Sequence, residues 1–517
     1  MALWTFLLIF ASRFATLLPP RGHKGCLASL PARSMKPELI LCLLLLYFAL
    51  LLLIAHLAAR SGGPREGYYI GKRNTPWGLV AFGMLGVSLS GVSFISVPGW
   101  VLTSNFHYMQ MVLGYVIGYY AIAYVLIPIY YRLKLPTIYS YLSSRLGPVS
   151  YRTSATFFLL ARTVVAALRL FVVASLLHTM VFGHWGVPFA VTVVVTVALI
   201  WLYTHRGGIQ SIIWTDVFQT ALMLVCLLVT IYLVAKSMDF GFLETIRQIA
   251  HHPKAQLFQF NDWRSSSHFL KQFLSGAIIP FVMTGLDQDM MQKNLGCKSP
   301  RDARKNMVAY GYAFIPVNLL LLSLGVLLVI FAEHHGLPLP AHGDDLYPQL
   351  ALGPMLPSVV GVLFTLSVIA AAYSSADSAL TALTTSFTID ILGIRPGAGL
   401  RSVRTRQMVQ VAFSLLFIAL IMLFQHLSSG SIIHTLFTAV GYTYGPILGI
   451  YAIALFTPWR TREWVVPLAA LAGPTLSYIV KHAVMRLGYA MGYELLLFNA
   501  LVVFALLAFT RVKAPRN

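Results

Sequence analysis

The sequence is short of charge, and above all of negative charge: charged residues make up 10% of it, and its 37 Lys and Arg face only 16 Asp and Glu. A chain that is also 58% hydrophobic cannot cover itself with a polar surface, which excludes a water-soluble globule. Cysteine is scarce as well. Cys26, Cys42, Cys226 and Cys297 show no ligand spacing, so neither a disulfide framework nor a metal site is read from them. No motif pairs a nucleophile with a base or assembles a catalytic metal, which argues against an integral-membrane enzyme. The long apolar stretches contain no low-complexity linker and no domain boundary.

What stands in their place is a recurring apolar segment of roughly 20 residues, long enough to cross a ~30 Å hydrocarbon core as a helix. Such segments fall near 37–57, 77–103, 108–132, 152–182, 187–204, 211–236, 268–291, 307–332, 356–391, 408–426, 432–456, 463–484 and 490–510. The pattern predicts an all-α polytopic membrane protein with about thirteen transmembrane helices.

The formal charge of +21 is distributed as a membrane topology requires, and its partner is a lipid bilayer rather than nucleic acid. Lys and Arg gather in alternate loops, among them Arg60, Arg65, Lys72 and Arg73; Arg132, Lys134, Arg145 and Arg152; Arg206; Lys293, Lys298, Arg301, Arg304 and Lys305; Arg395, Arg401, Arg404 and Arg406; Arg460 and Arg462; Arg511, Lys513 and Arg516. The intervening loops are short or carry Glu333, Asp344 and Asp345. Placing the basic loops inside sets the N-terminus outside and the C-terminus in the cytoplasm, and demands an odd number of helices. Residues 1–34 fit this scheme poorly, because their basic residues would lie outside. They read as a signal peptide or, preferably, as an extension ahead of a natural start at Met35. Residues 35–76 then form an extra N-terminal helix and a cytoplasmic loop, and 457–517 form further C-terminal helices and a short tail. Between them, the loop at 237–267 is large enough outside the membrane to hold a short helix around FLETIRQIA.

The second segment, FGMLGVSLSGVSFISVPGW, mixes Gly83, Gly86, Gly91, Pro98 and Gly99 with Ser88, Ser90, Ser93 and Ser96. Gly and Pro weaken helix continuity, and unwound backbone at membrane depth is tolerated only where it lines a cavity. The alternative is close helix packing through small residues. A weaker counterpart, SGAIIPFVMTGLDQD, carries Gly276, Pro280 and Gly285. In AAYSSADSALTALTTSFTID, Ala371, Ser374, Ser375 and Ser378 fall on one helical stripe, with Asp377 beside it. Serines in membrane helices often bond back to their own backbone. Hydroxyl and carbonyl oxygens also suit hard alkali cations, and an acid at that depth is a functional candidate.

The segment GGIQSIIWTDVFQT, the Asp287–Gln288 pair followed by Gln292–Lys293, and the serine-rich stretch together resemble the sodium/solute symporter family of sodium–glucose, sodium–proline and sodium–sialic acid cotransporters. The resemblance runs from about Met35 to 456 and implies a LeuT-type core of 5+5 helices in inverted repeat, with halves 77–236 and 268–456. It implies one Na⁺ held by the carbonyls of Gly86, Leu89 and Ala371 and the hydroxyls of Ser374 and Ser375. A second cation site would use Asp216, Ser374, Asp377 and Ser378, although Asp377 stands where the family has a hydroxyl. That departure would strengthen a cation site, admit a proton or pair with a base. Asp216 also reads as an acid at a helix end near the cytoplasmic surface. Ser88, Ser90, Ser93 and Gln110 correspond to solute-facing positions, while Met283 replaces an aromatic gate residue of the sugar transporters.

Arg162 and Arg169 lie seven residues apart on one helical face. In sialic acid transporters an arginine of that helix holds the solute's carboxylate, and the resemblance implies Arg162, ahead of Arg169, as its counterpart. Each arginine could instead pair with an acid of the bundle or reach a surface. The expected function is sodium-coupled symport of a small organic solute by alternating access, the solute being an anionic sugar acid or carboxylate, with a neutral sugar or amino acid as the alternative. A channel would need a continuous polar pore, and a transporter-like sensor would need a signalling domain; neither is visible in the sequence.

Overall fold

The computed structural model describes residues 37–61, 75–133, 137–394, 400–427, 432–489 and 491–512. The N-terminal extension, Cys26, Arg65, Lys72, Arg73, Lys134, Arg395, Lys513 and Arg516 lie outside the described residues. Helices account for nearly all of the regular structure: α1 Pro37–Ser61, α2 Trp77–Ser88, α3 Gly91–Ser104, α4 Tyr108–Leu133, α5 Pro148–Met180, α6 Phe189–Lys236, α7 Phe269–Gly285, α8 Gln288–Asn294, α9 Pro300–His334, α10 Ser358–Ile391, α11 Leu400–Leu427, α12 Ile432–Phe456, α13 Val465–Arg486 and α14 Leu495–Phe509. A two-residue pairing of Arg460–Thr461 with Arg511–Val512 ties the end of the chain to the α12–α13 turn. The loop after α6 carries the helix Phe242–His251.

Each of the thirteen predicted segments is helical. Among the described residues, eight helices are long and apolar enough to cross a membrane, or ten if each of two bent pairs is one span. One boundary differs from expectation: the segments at 187–204 and 211–236 merge into the single helical run α6. Gly207 and Gly208 weaken a helix by only about 1 kcal/mol each relative to Ala, where a proline would cost ~3.

The apolar pattern explains how the helices lie. Along α1, Leu44, Tyr47, Phe48, Leu51 and Ala55 are buried at helical spacing, whereas Leu45, Leu46, Leu53 and Leu57 on the other face are exposed. An exposed apolar stripe of that length has hydrocarbon as its solvent. Inside, α6 lies against α1, α2 and α10, and α5 packs on α10 and α12. Glycine allows the closest of these approaches. A Cβ on Gly86 would stand 1.9 Å from Thr220 Oγ1, so α2 can meet α6 at that depth only with no side chain there.

Both bent pairs break where Gly and Pro accumulate. Between α2 and α3 the axis turns by 65°, and between α7 and α8 by 73°. Ahead of the second break, Pro280 and a π-helical turn over Phe281–Gly285 loosen α7, and Asp287 then caps α8 by accepting from the backbone of Asp289 and Met290.

Candidate ion and solute site

At the first break the backbone leaves the helix for two residues, Leu89 with φ −76° and ψ 70° and Ser90 with φ −67° and ψ 163°. A continuous helix would send the Ser90 N–H to Gly86 O and the Ser93 N–H to Leu89 O. Here Ser90 N donates to Ser88 O at 2.9 Å, and Ser93 N donates to Ser90 Oγ at 3.4 Å. The break therefore releases the carbonyls of Gly86 and Leu89, two of the five expected sodium ligands. The third carbonyl, Ala371 O, belongs to the unbroken helix α10 and keeps a second lone pair for any further partner.

Facing the break, α10 brings Ala371, Ser374, Ser375, Asp377 and Ser378 into the protein interior, all buried. Ser374 Oγ donates to Asp216 Oδ1 at 2.6 Å. With its proton committed to a carboxylate, that hydroxyl turns its lone pairs toward other neighbours. Ser375 Oγ accepts a short hydrogen bond from Arg169 Nη1. Asp377 Oδ1 accepts from the backbone N–H of Ser378 in its own helix.

Lys293 is the residue that sequence reading misplaced. Counted above among loop cations, it is buried, with its side chain 1% exposed. Its Nζ donates to Asp216 Oδ2 at 2.7 Å and to Ser378 Oγ at 2.5 Å, and stands 3.8 Å from Asp289 Oδ1. The bend before α8 carries it inward, because a sharp turn at Leu286–Asp287 redirects the chain into the bundle.

Arg162 is also committed within the protein. It makes a short bond to Asp289 Oδ2, and its Nη1 lies 3.8 Å from Asp287 Oδ2, which accepts from Tyr444 Oη at 2.6 Å. Arg169, about two turns along the same face of α5, has no carboxylate within ion-pairing distance among the described residues. Its side chain is buried, its Nη1 donates to a neutral hydroxyl, and its Nε has no hydrogen-bond partner among the described residues.

A cavity lies beside this network, walled by Ser88, Ser90 and Ser93 from the break, Tyr115 and Tyr119 from α4, Met283 and Thr284 from α7, and both arginines. Ser88 Oγ is hydrogen-bonded to Tyr310 Oη of α9. Gln110 is not part of the wall. Its side chain donates to His107 O and Ser267 O and accepts from Gln259 N, all within 3.1 Å, which pins the loop after α6 to the start of α4. Asp287, Asp289, Lys293, Tyr310 and Tyr444 are the site residues the sequence reading did not select. The density of ionisable groups in LDQDMMQKN, straight after an apolar run, is the signal that could have found three of them, Asp287, Asp289 and Lys293.

A discontinuous helix at mid-bundle, released carbonyls, buried hydroxyls facing them and a cavity alongside place oxygen ligands suited to a hard cation next to a space for a small molecule. The chain belongs to the sodium:solute symporter family, whose profile matches residues 68–463. It is 24% identical over 433 residues to the human sodium/iodide cotransporter, covering 80% of this chain and 65% of that protein. It is 25% identical over 415 residues to the sodium-dependent multivitamin transporter of Oryctolagus cuniculus, covering 77% and 63%. The sodium/sialic acid symporter of Proteus mirabilis is 23% identical over 433 residues, covering 79% and 83%. The chain thus spans just under two thirds of the length of the first two. A solved substrate-bound, outward-open sodium-coupled sialic acid symporter superposes with a TM-score of 0.76 at 19% identity, covering 91% of this chain and 97% of that one. The fold is accordingly the LeuT type, in a multi-pass membrane protein.

Proposed function

We propose that this protein is a sodium-coupled symporter that carries a small anionic solute, a sugar acid or other carboxylate, across the cytoplasmic membrane by alternating access. The observation that carries the reading is the diversion of the Ser90 and Ser93 N–H groups, which frees the carbonyls of Gly86 and Leu89 opposite Ala371, Ser374 and Ser375. Five oxygens from two helices suit a hard monovalent cation, and binding it holds the broken helix against α10. The two bent pairs open the stretches 77–236 and 268–456 respectively, which supports reading them as the inverted halves. The alternation of basic loops supports an outside N-terminus and a cytoplasmic C-terminus. An inward-negative potential then adds about 2.3 kcal/mol per charge per 100 mV to uptake.

The solute's charge is read by Arg169 on this account, and not by Arg162. Arg162 already faces two carboxylates, whereas Arg169 reaches the same cavity with a guanidinium that forms no ion pair among the described residues. A buried arginine in that condition is favourable with a carboxylate held beside it. The relative named for sialic acid agrees with an acidic solute.

The test is uptake into proteoliposomes with and without an inward sodium gradient, across a panel that pairs each acid with its amide. Accumulation of an acid over its amide, only with sodium, is the expected result, and Arg169→Gln should remove the preference for the acid. Accumulation indifferent to sodium, or a preference that survives Arg169→Gln, would refute the respective half of the reading.

A further inference from the structure

We propose that the Lys293 ammonium is a built-in cation that occupies the position of a second coupling ion, so that the transporter carries one sodium fewer than its carboxylate and hydroxyls could hold. The family resemblance gives that second position to Asp216, Ser374, Asp377 and Ser378. Lys293 Nζ donates to Asp216 Oδ2 at 2.7 Å and to Ser378 Oγ at 2.5 Å, while Asp216 Oδ1 accepts from Ser374 Oγ at 2.6 Å. Both oxygens of the only acid on α6 at this site are therefore engaged, one of them by a full positive charge. The oxygens that would replace the water around a free ion already replace the water around an ammonium.

The ammonium is also held where it is. It stands on the seven-residue helix α8, whose first turn is fixed by Asp287 accepting from Tyr444 Oη and by Asp289 bonded to Arg162. Beyond its end, Cys297 pairs its backbone with Thr75 at the start of α2. Lys293 is closed off from water, with its side chain 1% exposed, so a second cation at Asp216 would have to displace it into an apolar surrounding or sit against a like charge. The residues thus do not fit a second exchangeable ion, although their oxygens have the chemistry for one. A tethered charge cannot be released inside, and the coupling stoichiometry falls accordingly.

This inference rests on the symport reading for the first ion alone, and its test separates the two. Equilibrium binding of radiolabelled sodium to the purified full-length protein counts ions per chain. Lys293→Gln keeps a polar side chain but deletes the charge, and should bind one sodium more than wild type; Lys293→Arg should not. Adding Asp216→Asn to Lys293→Gln should remove the extra ion. An unchanged count in Lys293→Gln overturns the proposal. Should that variant fail to fold, a wild-type count of two, reduced to one by Asp216→Asn, overturns it without any change at Lys293. A wild-type count of none, rising to one in Lys293→Gln, would uphold Lys293 as the resident cation and refute sodium symport.

Discussion

Arg162→Gln separates a residue that reads the solute from one that holds the bundle together. The guanidinium and the Asp289 carboxylate are 5% and 1% exposed, and their bond joins α5 to α8 across 127 residues of sequence. Removing one partner of a buried pair leaves the other charge without compensation, which costs about 3–5 kcal/mol. Two neighbours soften the loss here. Asp289 keeps Lys293 at 3.8 Å, and Asp287 keeps the Tyr444 hydroxyl at 2.6 Å, so the lower end, about 3 kcal/mol, is expected. Thermal unfolding in detergent should therefore show a lowered transition for Arg162→Gln. Arg162→Gln with Asp289→Asn should recover much of it, because the second change removes the stranded charge; a coupling of about 0.5–3 kcal/mol between the two positions is the signature. The acid-over-amide preference of whatever protein remains folded should persist. A variant as stable as wild type that loses the preference would refute this assignment and return the solute's charge to Arg162.

Two further expectations concern the first ion. Ser375→Ala deletes one hydroxyl ligand, and at about 1.5 kcal/mol for a hydrogen bond or ligand contact to a charged group the sodium concentration for half-maximal uptake should rise roughly tenfold, and further when Ser374→Ala is added; unchanged sodium dependence in the double variant would remove both serines from the site. Gly86→Ala places a methyl 1.9 Å from Thr220 Oγ1, a hydroxyl held by its 2.6 Å bond to Asp216 O, so α2 must back away at a cost of about 1–3 kcal/mol. Sodium affinity measured by uptake should fall in that variant and recover in part when Thr220→Ala clears the space; no recovery would mean that the carbonyl's position is not what the clash disturbs.

Legibility in the sequence followed the range of the physics. The break in the second segment and the stripe on α10 are local matters: glycine and proline density sets the first, and the period of the helix sets the second, so both could be read without knowing any neighbour. Lys293 was misread for the opposite reason. The rule that basic residues mark cytoplasmic loops assumes that a charge near the end of an apolar segment lies outside it, and the 73° turn before α8 sends this one back among the helices. The partners of Gln110, Ser267 O and Gln259 N, could not be read either, because they belong to a loop about 150 residues away, where spacing along α4 carries no information. The choice between Arg162 and Arg169 likewise depends on which acids the fold sets beside each, a fact of α8 rather than of α5.

The position of Arg169 links the ion to the solute on the proposed reading. Its Nη1 bonds to Ser375 Oγ, and the same side chain forms part of the cavity wall. A cation arriving at Ser375 competes for the lone pairs that the guanidinium now uses and repels its charge, at ranges where like charges in a dry interior interact strongly. An anion in the cavity offsets that repulsion by drawing the guanidinium away from the serine. Each ligand therefore improves the site for the other, and by linkage the factor is the same in both directions. A neutral solute would leave the repulsion uncompensated, so the geometry that couples the ion to transport is also the geometry that favours an acid as cargo.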